Sequence, residues 1–444
     1  MSVSVGFISL GCSKNLVDSQ VMAGYLKAGQ IALAPSPELA DIILVNTCAF
    51  IEAAREEAAE AILSACEHKT KGACKAVIVT GCMVQRYRTR LKKAFPNVDA
   101  FLGIDELEQI SAVVLRVGAG KRVGVIAEAG DAKKVYNPLY PTLLFTGGPF
   151  SYLKIADGCD HRCAYCAIPL IRGSFRSRDS DDILKEASSM VSAGVKELNL
   201  ISQDSLMYGV DRANKPQIVE LVKRLDAIEG DFWLRILYGY PAGVTHELIE
   251  LFNTAKHVCR YLDLPIQHSH PDILKSMNRS PAIRATTGLT QRLRQAIPGV
   301  TLRTTCLVGF PGETDAHFEH LLQTIEASEF DHLGVFGYSP EEGTAAFDRD
   351  APDSEVVEER CQRVMALQKK IVTNRMAALK SKKDTALLLR KKVKGEWIAR
   401  LARQAPEVDG ETFISNVSKM AKAGDFISVE ITGAHDFDLI ARQL

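Results

Sequence analysis

The stretch Asp157-Gly-Cys-Asp-His-Arg-Cys-Ala-Tyr-Cys-Ala-Ile-Pro169 carries three cysteines, Cys159, Cys163 and Cys166, in the spacing C-x3-C-x2-C. Thiolates this close together can hold three corners of a four-iron four-sulfur cluster and leave the fourth iron free to bind a substrate or cofactor. A ferredoxin that only transfers electrons supplies four cysteines. A structural zinc site closes with a fourth Cys or His at a recognisable spacing, and His161 lies too close to Cys159 and Cys163 for that role.

This spacing resembles the signature of the radical S-adenosylmethionine (SAM) enzymes, in which the open iron is chelated by the amino and carboxylate groups of SAM. The resemblance implies a partial (β/α) barrel, and strand-like runs do alternate with helical runs after Phe150. Functional residues of such barrels lie on the loops that follow the strands. The predicted strands are Tyr152–Ala156, Glu197–Ser202, Trp233–Tyr238, Tyr261–Leu264, Thr301–Val308 and His332–Phe336.

Three further cysteines, Cys12, Cys48 and Cys82, each follow a short apolar run rich in Val and Ile. Such runs are typical of buried parallel strands, whose carboxyl ends share one edge of a sheet. The three thiols should therefore meet there, and three converging thiolates again suggest a cluster with one free iron. Buried structural cysteines are the alternative. The remaining five are predicted to be core or incidental thiols: Cys66, Cys74, Cys259, Cys306 and Cys361.

Two sets of three cysteines in this order resemble the methylthiotransferase family. The run Ser9–Ser19 is similar to the start of its RimO branch, which methylthiolates an aspartate of the twelfth small-subunit ribosomal protein. Other matching motifs extend along nearly the whole chain: Asn46–Cys48, Gly81–Cys82, Ile171–Arg178, Leu200–Asp204, Tyr208–Asp211, Leu264–His268, Val308–Thr314, Phe336–Thr344 and Gln404–Gly410.

The resemblance implies an α/β fold with an N-terminal open α/β domain, a central radical SAM partial (β/α) barrel and a C-terminal small β-barrel, the TRAM domain. From the sequence, the first domain spans residues 1–135, a linker rich in proline and glycine follows at 136–149, the radical SAM domain spans 150–375, and the TRAM domain spans 380–444. The implied cofactors are SAM and two 4Fe-4S clusters, the first on Cys12, Cys48 and Cys82, the second on Cys159, Cys163 and Cys166.

The implied reaction transfers a methylthio group. The second cluster, reduced by a donor such as a flavodoxin or ferredoxin, cleaves SAM to methionine and a 5′-deoxyadenosyl radical. That radical takes a hydrogen from the β-carbon of the target aspartate. The first cluster carries the sulfur, and a second SAM supplies the methyl group. An unactivated C–H bond requires such a radical, since no side-chain base could remove this hydrogen. No catalytic residue is predicted beyond the cluster ligands.

Several residues on loops after strands are predicted to bind SAM. The two glycines of Gly309–Thr314 let the backbone approach a ligand, and the resemblance places this loop against the adenosine half of SAM. A simple turn before a helix is the alternative. Arg303 is a candidate partner for the SAM carboxylate. The full predicted set is Gln203, Asp204, Arg303, Gly309, Pro311, Gly312 and Glu313.

Charge and composition bear on the partner and the compartment. The chain holds 54 Lys and Arg and 54 Asp and Glu, so its net charge does not attract nucleic acid or membrane. No apolar run is long enough for a membrane span, no signal peptide is recognisable, and eleven cysteines, an odd number, suit a reducing compartment. We therefore expect a cytoplasmic enzyme without a membrane partner.

The acceptor has two candidates in the sequence. Residues 397–444 hold five Lys or Arg against seven Asp or Glu, which favours a basic protein such as the ribosomal protein. The run Lys382–Lys394 holds six basic residues and one acid, and it suits contact with rRNA, contact with tRNA or the solvated face of a strand. Contact with tRNA would favour the alternative acceptor, an N6-isopentenyladenosine-type adenosine in tRNA. A third alternative, from another class of protein, is a non-catalytic iron–sulfur electron carrier.

Overall fold

The N-terminal part of the chain forms a six-stranded parallel sheet. The computed structural model describes residues 3–126, 132, 134, 145–279, 286–392 and 395–444; the predicted domain boundary at 135 and residues 136–144 of the predicted linker lie outside them. The sheet has the order β2-β1-β3-β4-β5-β6. Its elements are β1 Ser4–Ser9, α1 Ser13–Ala28, β2 Ala32–Leu33, β3 Ile42–Thr47, α2 Glu52–Lys71, β4 Ala76–Gly81, α3 Cys82–Tyr87, α4 Thr89–Ala94, β5 Ala100–Leu102, α5 Ile110–Gly118 and β6 Gly124–Ile126.

Helices cover both faces of this sheet. Every residue of β3 and β4 is buried, because α1 and α5 pack on one face and α2, α3 and α4 on the other. Burial on both faces explains why these strands are continuous apolar runs without alternation. The pattern that predicted them from the sequence is therefore confirmed.

The central part of the chain builds two parallel three-stranded sheets, β11-β10-β7 and β12-β13-β14, which form the wall of the partial barrel. One continuous apolar core lies between these strands and the helices outside them. The elements are β7 Phe150–Lys154, β8 Ala156–Asp157, α6 Ile168–Arg172, β9 Arg176–Ser177, α7 Ser180–Ser192, β10 Glu197–Ile201, α8 Val210–Ala213, α9 Ile218–Asp226, β11 Trp233–Ile236, α10 His246–Thr254, β12 Tyr261–Asp263, α11 Pro271–Ser276, α12 Thr286–Ala296, β13 Thr301–Val308, α13 Asp315–Ser328 and β14 His332–Gly337.

The C-terminal part is a closed five-stranded barrel of order β15-β16-β17-β19-β18. A long helix connects it to the central part and contributes Val372 and Met376 to the small barrel's core. These observations confirm the predicted three-part architecture. The elements are α14 Ser354–Ala377, β15 Lys383–Lys391, β16 Trp397–Leu401, β17 Thr412–Ser415, β18 Phe426–His435 and β19 Asp438–Gln443.

The inside of the partial barrel is filled by segments from the other two parts of the chain. Val17 and Val21 of α1 and Ala405 of the C-terminal part pack with Tyr152 and Tyr261 of the barrel strands. Because α1 begins one residue after Cys12, this packing brings the cysteine edge of the first sheet to the carboxyl end of the barrel strands. None of the helices in the described ranges is long and apolar enough to cross a membrane.

Candidate active site

The first three cysteines lie at one edge of the six-stranded sheet. Cys12 and Cys48 follow β1 and β3, and Cys82 begins α3 directly after β4. Cys48 and Cys82 are buried and Cys12 is exposed. Burial raises the pKa of Cys82 to about 12, Arg172 opposes this rise, and the thiolates of Cys48 and Cys12 add to it. A Cβ atom at Gly11, next to Cys12, would lie 3.0 Å from Cys48 Sγ, so the loops that carry these two thiols pack against each other.

Two glycines make this close approach possible. Gly11 has φ of 87°, and a Cβ atom there would lie 2.7 Å from Cβ of Cys48. Gly81 has φ of 94°, and a Cβ atom there would collide with the Asn46 side chain and with the Thr47 carbonyl. Only glycine adopts such conformations without steric cost, so the loops that carry the thiols require it at both positions.

The second three cysteines lie on the loop between β8 and α6. Burial raises the pKa of Cys159 and of Cys166 to about 12, and the neighbouring thiolate of Cys163 adds to both shifts. The loop is held by backbone bonds from Cys159 N–H to the Gly173 carbonyl (3.1 Å) and from Cys166 N–H to the Cys163 carbonyl (3.1 Å). Arg279 approaches from the barrel wall, with Nη1 3.7 Å from Cys163 Sγ.

A buried network of charges joins the two cysteine sets. Arg172 Nη1 donates to Asp18 Oδ2 at 2.8 Å and to Asp157 Oδ2 at 3.0 Å, and Arg172 Nη2 is 3.3 Å from Cys82 Sγ. The ammonium of Lys154 bonds to the same two carboxylates. Burial disfavours ionisation of Asp157, but Lys154 and Arg172 outweigh burial and lower its pKa. The cations of Arg172 and Lys154 thus balance the carboxylates of Asp18 and Asp157. This network lies between the thiol of Cys82 and the loop that starts at Asp157.

Three arginines follow the cysteine loop: Arg172, Arg176 and Arg178. Arg172 and Arg178 are buried, and Arg178 pairs with Glu186 at 2.7 Å. Arg172 has a cysteine sulfur as a hydrogen-bond partner, and Arg176 Nη1 donates to the Arg172 carbonyl at 2.9 Å. The burial and pairing of Arg172 and Arg178 mean that this segment is not a fully solvated basic surface.

Two of the predicted SAM-binding residues lie beside the cysteine loop. Gln203 Nε2 donates to Asp157 Oδ1 at 2.9 Å. Asp204 Oδ2 contacts His161 Nε2 at 2.8 Å, and Asp204 Oδ1 accepts the Tyr240 N–H at 3.1 Å. The ring of His161 stacks on Tyr240 with centroids 4.1 Å apart. Both predicted residues thus help to hold the cysteine loop in place.

The loop Gly309–Thr314 also lies beside the cysteine loop. Phe310 packs edge-on against Tyr165, which lies between Cys163 and Cys166, with ring centroids 6.4 Å apart. Pro311 is buried and Gly312 is exposed. Glu313 points back into its own loop, where Oε2 accepts the Gly309 N–H at 2.9 Å and Oε1 accepts from Arg360 at 2.9 Å. The carboxylate of Glu313 therefore holds the shape of the loop, and the backbone of Gly309 and Gly312 remains the part suited to a ligand.

Arg303, predicted to contact the SAM carboxylate, is paired with two carboxylates inside the barrel. It is the third residue of β13, and its Nη1 donates to Asp409 Oδ1 at 2.9 Å. Its Nε is 3.7 Å from Asp263. The loop Gln404–Gly410 of the C-terminal part, buried at Gln404–Pro406, enters the barrel and supplies this carboxylate. The contact of Arg303 that the structure shows is therefore with this loop, and a contact with the SAM carboxylate stays a prediction.

Two residues near the cysteines were not recognised from the sequence. Lys14 is buried and its Nζ lies 3.0 Å from the centroid of the Tyr238 ring. Burial lowers the pKa of Lys14 to about 8, although the charges of Cys12 and Asp263 oppose that shift. The only sequence signal for Lys14 was its position two residues after Cys12. The second residue is His161, which the sequence analysis considered only as an unsuitable zinc ligand.

The arrangement of thiols fits an iron–sulfur cluster better than a single metal ion. A single metal ion needs ligand atoms that lie close together. Within the described part of the chain, three ligand atoms within 4.8 Å of one another are found at His270, Asp272 and His317, and neither cysteine set is as compact. The three sulfur ligands of a 4Fe-4S cluster can lie farther apart, because each binds a different iron at a corner of the cube.

Comparison with known proteins agrees with this site. Residues 153–325 match the Radical SAM superfamily, residues 383–444 match the TRAM domain, and residues 4–103 match the uncharacterized protein family UPF0004. The barrel and the loop with three cysteines thus define a radical SAM enzyme, a class that uses SAM and a 4Fe-4S cluster.

Full-length relatives give the family. The chain is 42% identical to a ribosomal protein uS12 methylthiotransferase RimO from Symbiobacterium thermophilum, over 99% of this chain and 90% of the relative. It is 40% identical to the protein of the same name from Trichlorobacter lovleyi, over 99% and 98%. The chain belongs to the RimO family of radical SAM methylthiotransferases.

Solved structures share the fold at low sequence identity. The radical SAM methyltransferase TsrM from Kitasatospora setae, with cobalamin and a [4Fe-4S] cluster bound, matches with a TM-score of 0.57 and 13% identity, over 78% of this chain and 74% of that one. The cobalamin-dependent radical enzyme OxsB matches with a TM-score of 0.52 and 12% identity, over 83% and 56%. These likenesses concern the fold alone.

Proposed function

We propose that this chain is a ribosomal protein uS12 methylthiotransferase that adds a methylthio group to the β-carbon of an aspartate. The observation that carries the proposal is the Arg172 network, because it joins Cys82 of one cysteine set to Asp157, two residues before Cys159 of the other. A reaction that needs a radical from one cluster and sulfur from the other requires both to face a common space. The relatives named for this activity match over nearly the whole chain.

In this proposal Cys159, Cys163 and Cys166 hold one 4Fe-4S cluster and bind SAM through its open iron. Together the clusters and SAM supply the radical, the sulfur and the methyl group. The chain's own residues hold and shield these groups: Asp204 and Gln203 brace the cysteine loop, and Gly309–Glu313 presents its backbone beside it.

The first cluster is proposed to sit on Cys12, Cys48 and Cys82. Arg172 places a positive charge against the sulfur of Cys82, where it offsets the negative charge of a thiolate-ligated cluster. Lys14, two residues after Cys12, adds a second buried cation. Both cations favour a reduced, more negative centre. An electron donor such as a flavodoxin or ferredoxin remains part of the proposal.

The surface of the small barrel supports a protein acceptor over tRNA. Within the run Lys382–Lys394, the described basic residues form two groups, Lys382 with Lys383 and Arg390 with Lys391 and Lys392, and the buried residues Ala386–Leu388 lie between them. Lys394 lies outside the described residues. Lys383 and Arg390 lie roughly 20 Å apart along β15 at ~3.3 Å per residue. Arg390 is also paired with Glu411 at 3.4 Å. Split and partly neutralised charges make a weak surface for an RNA backbone. Action on a ribosomal protein agrees with the cytoplasmic location expected from the sequence.

Mass spectrometry of uS12 and of digested tRNA tests the proposal, in a strain that lacks the gene and in its complemented partner. We expect the methylthio group to disappear from the aspartate of uS12 alone. Loss from the tRNA adenosine alone would overturn the acceptor and leave the radical chemistry in place.

The role of the first cysteine set is tested by complementation with Cys48→Ala. We expect no product, because a cluster with two thiolate ligands in place of three should not persist. Cys74→Ala is the matched control, since Cys74 is also buried in the first domain but precedes β4 at the opposite edge of the sheet. Full activity of Cys48→Ala would reject the two-cluster scheme.

A further inference from the structure

Three imidazole rings meet where the start of α11 faces the start of α13. His270 precedes α11, and His317 and His320 lie in the first two turns of α13. The ring centroids of His270 and His317 are 4.3 Å apart, and those of His270 and His320 are 5.1 Å apart. Asp272 adds a carboxylate, with Oδ2 3.8 Å from His270 Nδ1. Such a group of nitrogen and oxygen donors has no part in the proposed methylthio transfer.

The donor atoms are arranged around a common point. One ligand atom from each of His270, Asp272 and His317 lies within 4.8 Å of the other two. The two histidine side chains are half-buried and the carboxylate is exposed, so an ion could enter from solvent.

The rings of His270 and His317 each accept a backbone hydrogen bond that caps a helix, and both hydrogen bonds are weak. His270 Nδ1 caps α11 by accepting the Asp272 N–H at 3.2 Å. His317 Nδ1 accepts the Thr314 N–H at 3.2 Å in a capping box. Both bonds are longer than the usual 2.9–3.0 Å. An ion on Nδ1 would replace them, and the neutral ring would keep its proton on Nε2.

We infer that His270, His317 and Asp272 form a binding site for a divalent transition-metal ion of the zinc class. Two neutral imidazoles and one carboxylate suit such ions, whereas Mg²⁺ and Ca²⁺ prefer ligand sets made of oxygen alone. Water completes the coordination sphere, and the ring of His320 borders it. The site is separate from the proposed iron–sulfur clusters and does not depend on the proposed reaction.

The bound ion would connect two parts of the barrel that border the SAM loop. His270 lies between buried His268 and α11, and His317 follows the Gly309–Thr314 loop by three residues. His268 accepts the His270 N–H at 3.0 Å, and its Nε2 lies 3.8 Å from Glu313, which shapes that loop. An ion that ties α11 to α13 therefore exchanges two long capping hydrogen bonds for a link between the segment before α11 and the helix that follows the SAM loop.

Zinc titration of the cluster-loaded protein, purified without oxygen, tests the inference by calorimetry. The variants His270→Asn and His317→Gln remove a ligand but keep a side chain that can cap the helix, so the fold is retained. We expect wild type to bind one more Zn²⁺ than the double variant. The dissociation constant should rise at least ~10-fold in each single variant. Added Mg²⁺ should produce no such binding.

His435→Gln is the matched control, because His435 also lies beside a carboxylate, with Nδ1 3.5 Å from Asp436, but lacks a second histidine. It should bind Zn²⁺ as wild type does. Constant cluster absorbance during the titration excludes exchange of Zn²⁺ for iron. Zinc should also raise the melting temperature of wild type but not of the double variant. Equal zinc binding by wild type and the double variant, with both folded, would overturn the inference.

Discussion

Replacing Arg172 by methionine should disturb both the stability of the junction and the reduction potential of the first cluster. The Arg172 side chain is 2% exposed and donates to Asp18, Asp157, Asn15 and Cys82. Methionine fills much of the same volume but carries no charge and no donor. The network would then hold two carboxylates against the single ammonium of Lys154.

The size of each effect follows from these contacts. Removing one partner of a buried ion network costs about 3–5 kcal/mol, and we expect about 3 kcal/mol because Lys154 still neutralises one carboxylate. A hydrogen bond to a charged group is worth about 1.5–3 kcal/mol. If roughly half of that distinguishes the two redox states, the change is on the order of 1 kcal/mol, or about 40–60 mV for one electron. The potential should become more negative, since a positive charge favours the reduced state.

Redox titration followed by electron paramagnetic resonance measures the potential of each cluster in the anaerobic protein. Arg172→Lys keeps the charge and should restore most of the potential, though not the fork of hydrogen bonds. Arg212→Met is the surface control, because Arg212 is largely solvated and pairs only with Asp179 at 3.1 Å. A folded Arg172→Met protein with both cluster potentials unchanged would refute the reasoning.

Three further predictions rest on single contacts. Glu197→Gln leaves two buried guanidinium groups, Arg235 and Arg400, without a counter-charge, so the denaturation midpoint should fall by an amount equivalent to about 3–5 kcal/mol. Burial lowers the pKa of His268 to about 3, so the unfolded chain takes up a proton below pH 6.5 that the native protein does not. Stability present at pH 7 is therefore lost as the pH falls, by about 2 kcal/mol at pH 5, and His268→Asn should remove that part of the pH dependence of unfolding. Gly81→Ala should lower iron content at the first cluster because its methyl group collides with neighbouring backbone, whereas Gly194→Ala, with φ of 96° and open space around it, should cost only about 1 kcal/mol.

Local pattern predicted much of the fold. The strand predicted at Thr301–Val308 has the same limits in the structure. The strand predicted at Tyr152–Ala156 instead spans Phe150–Lys154. These segments were recognisable because the spacing of their apolar residues shows whether a strand or helix buries one face or both. That spacing depends only on residues close together in the sequence.

The site was predicted less completely. The sequence placed Gln203 and Asp204 near the cysteine loop, and they lie there. It did not predict that the carboxylate of Glu313 bonds to its own loop and to Arg360. Nor did it predict that Arg303 bonds to Asp409, 106 residues later in the chain. The contacts of both residues with SAM stay predictions. A charged side chain on a strand pairs with whichever opposite charge packing brings to it, and no local pattern names that partner.

The sequence by itself determined the chemistry of this protein: two sets of three thiols, each placed after a strand, and a motif order shared with one enzyme family. Both follow from the spacing of residues close together in the sequence, which can be read without knowing the fold. The tertiary structure alone decided that Arg172 faces Cys82, that the loop Gln404–Gly410 enters the barrel, and that His270 meets His317. Such contacts join residues far apart in sequence, and the packing of several elements at once sets them.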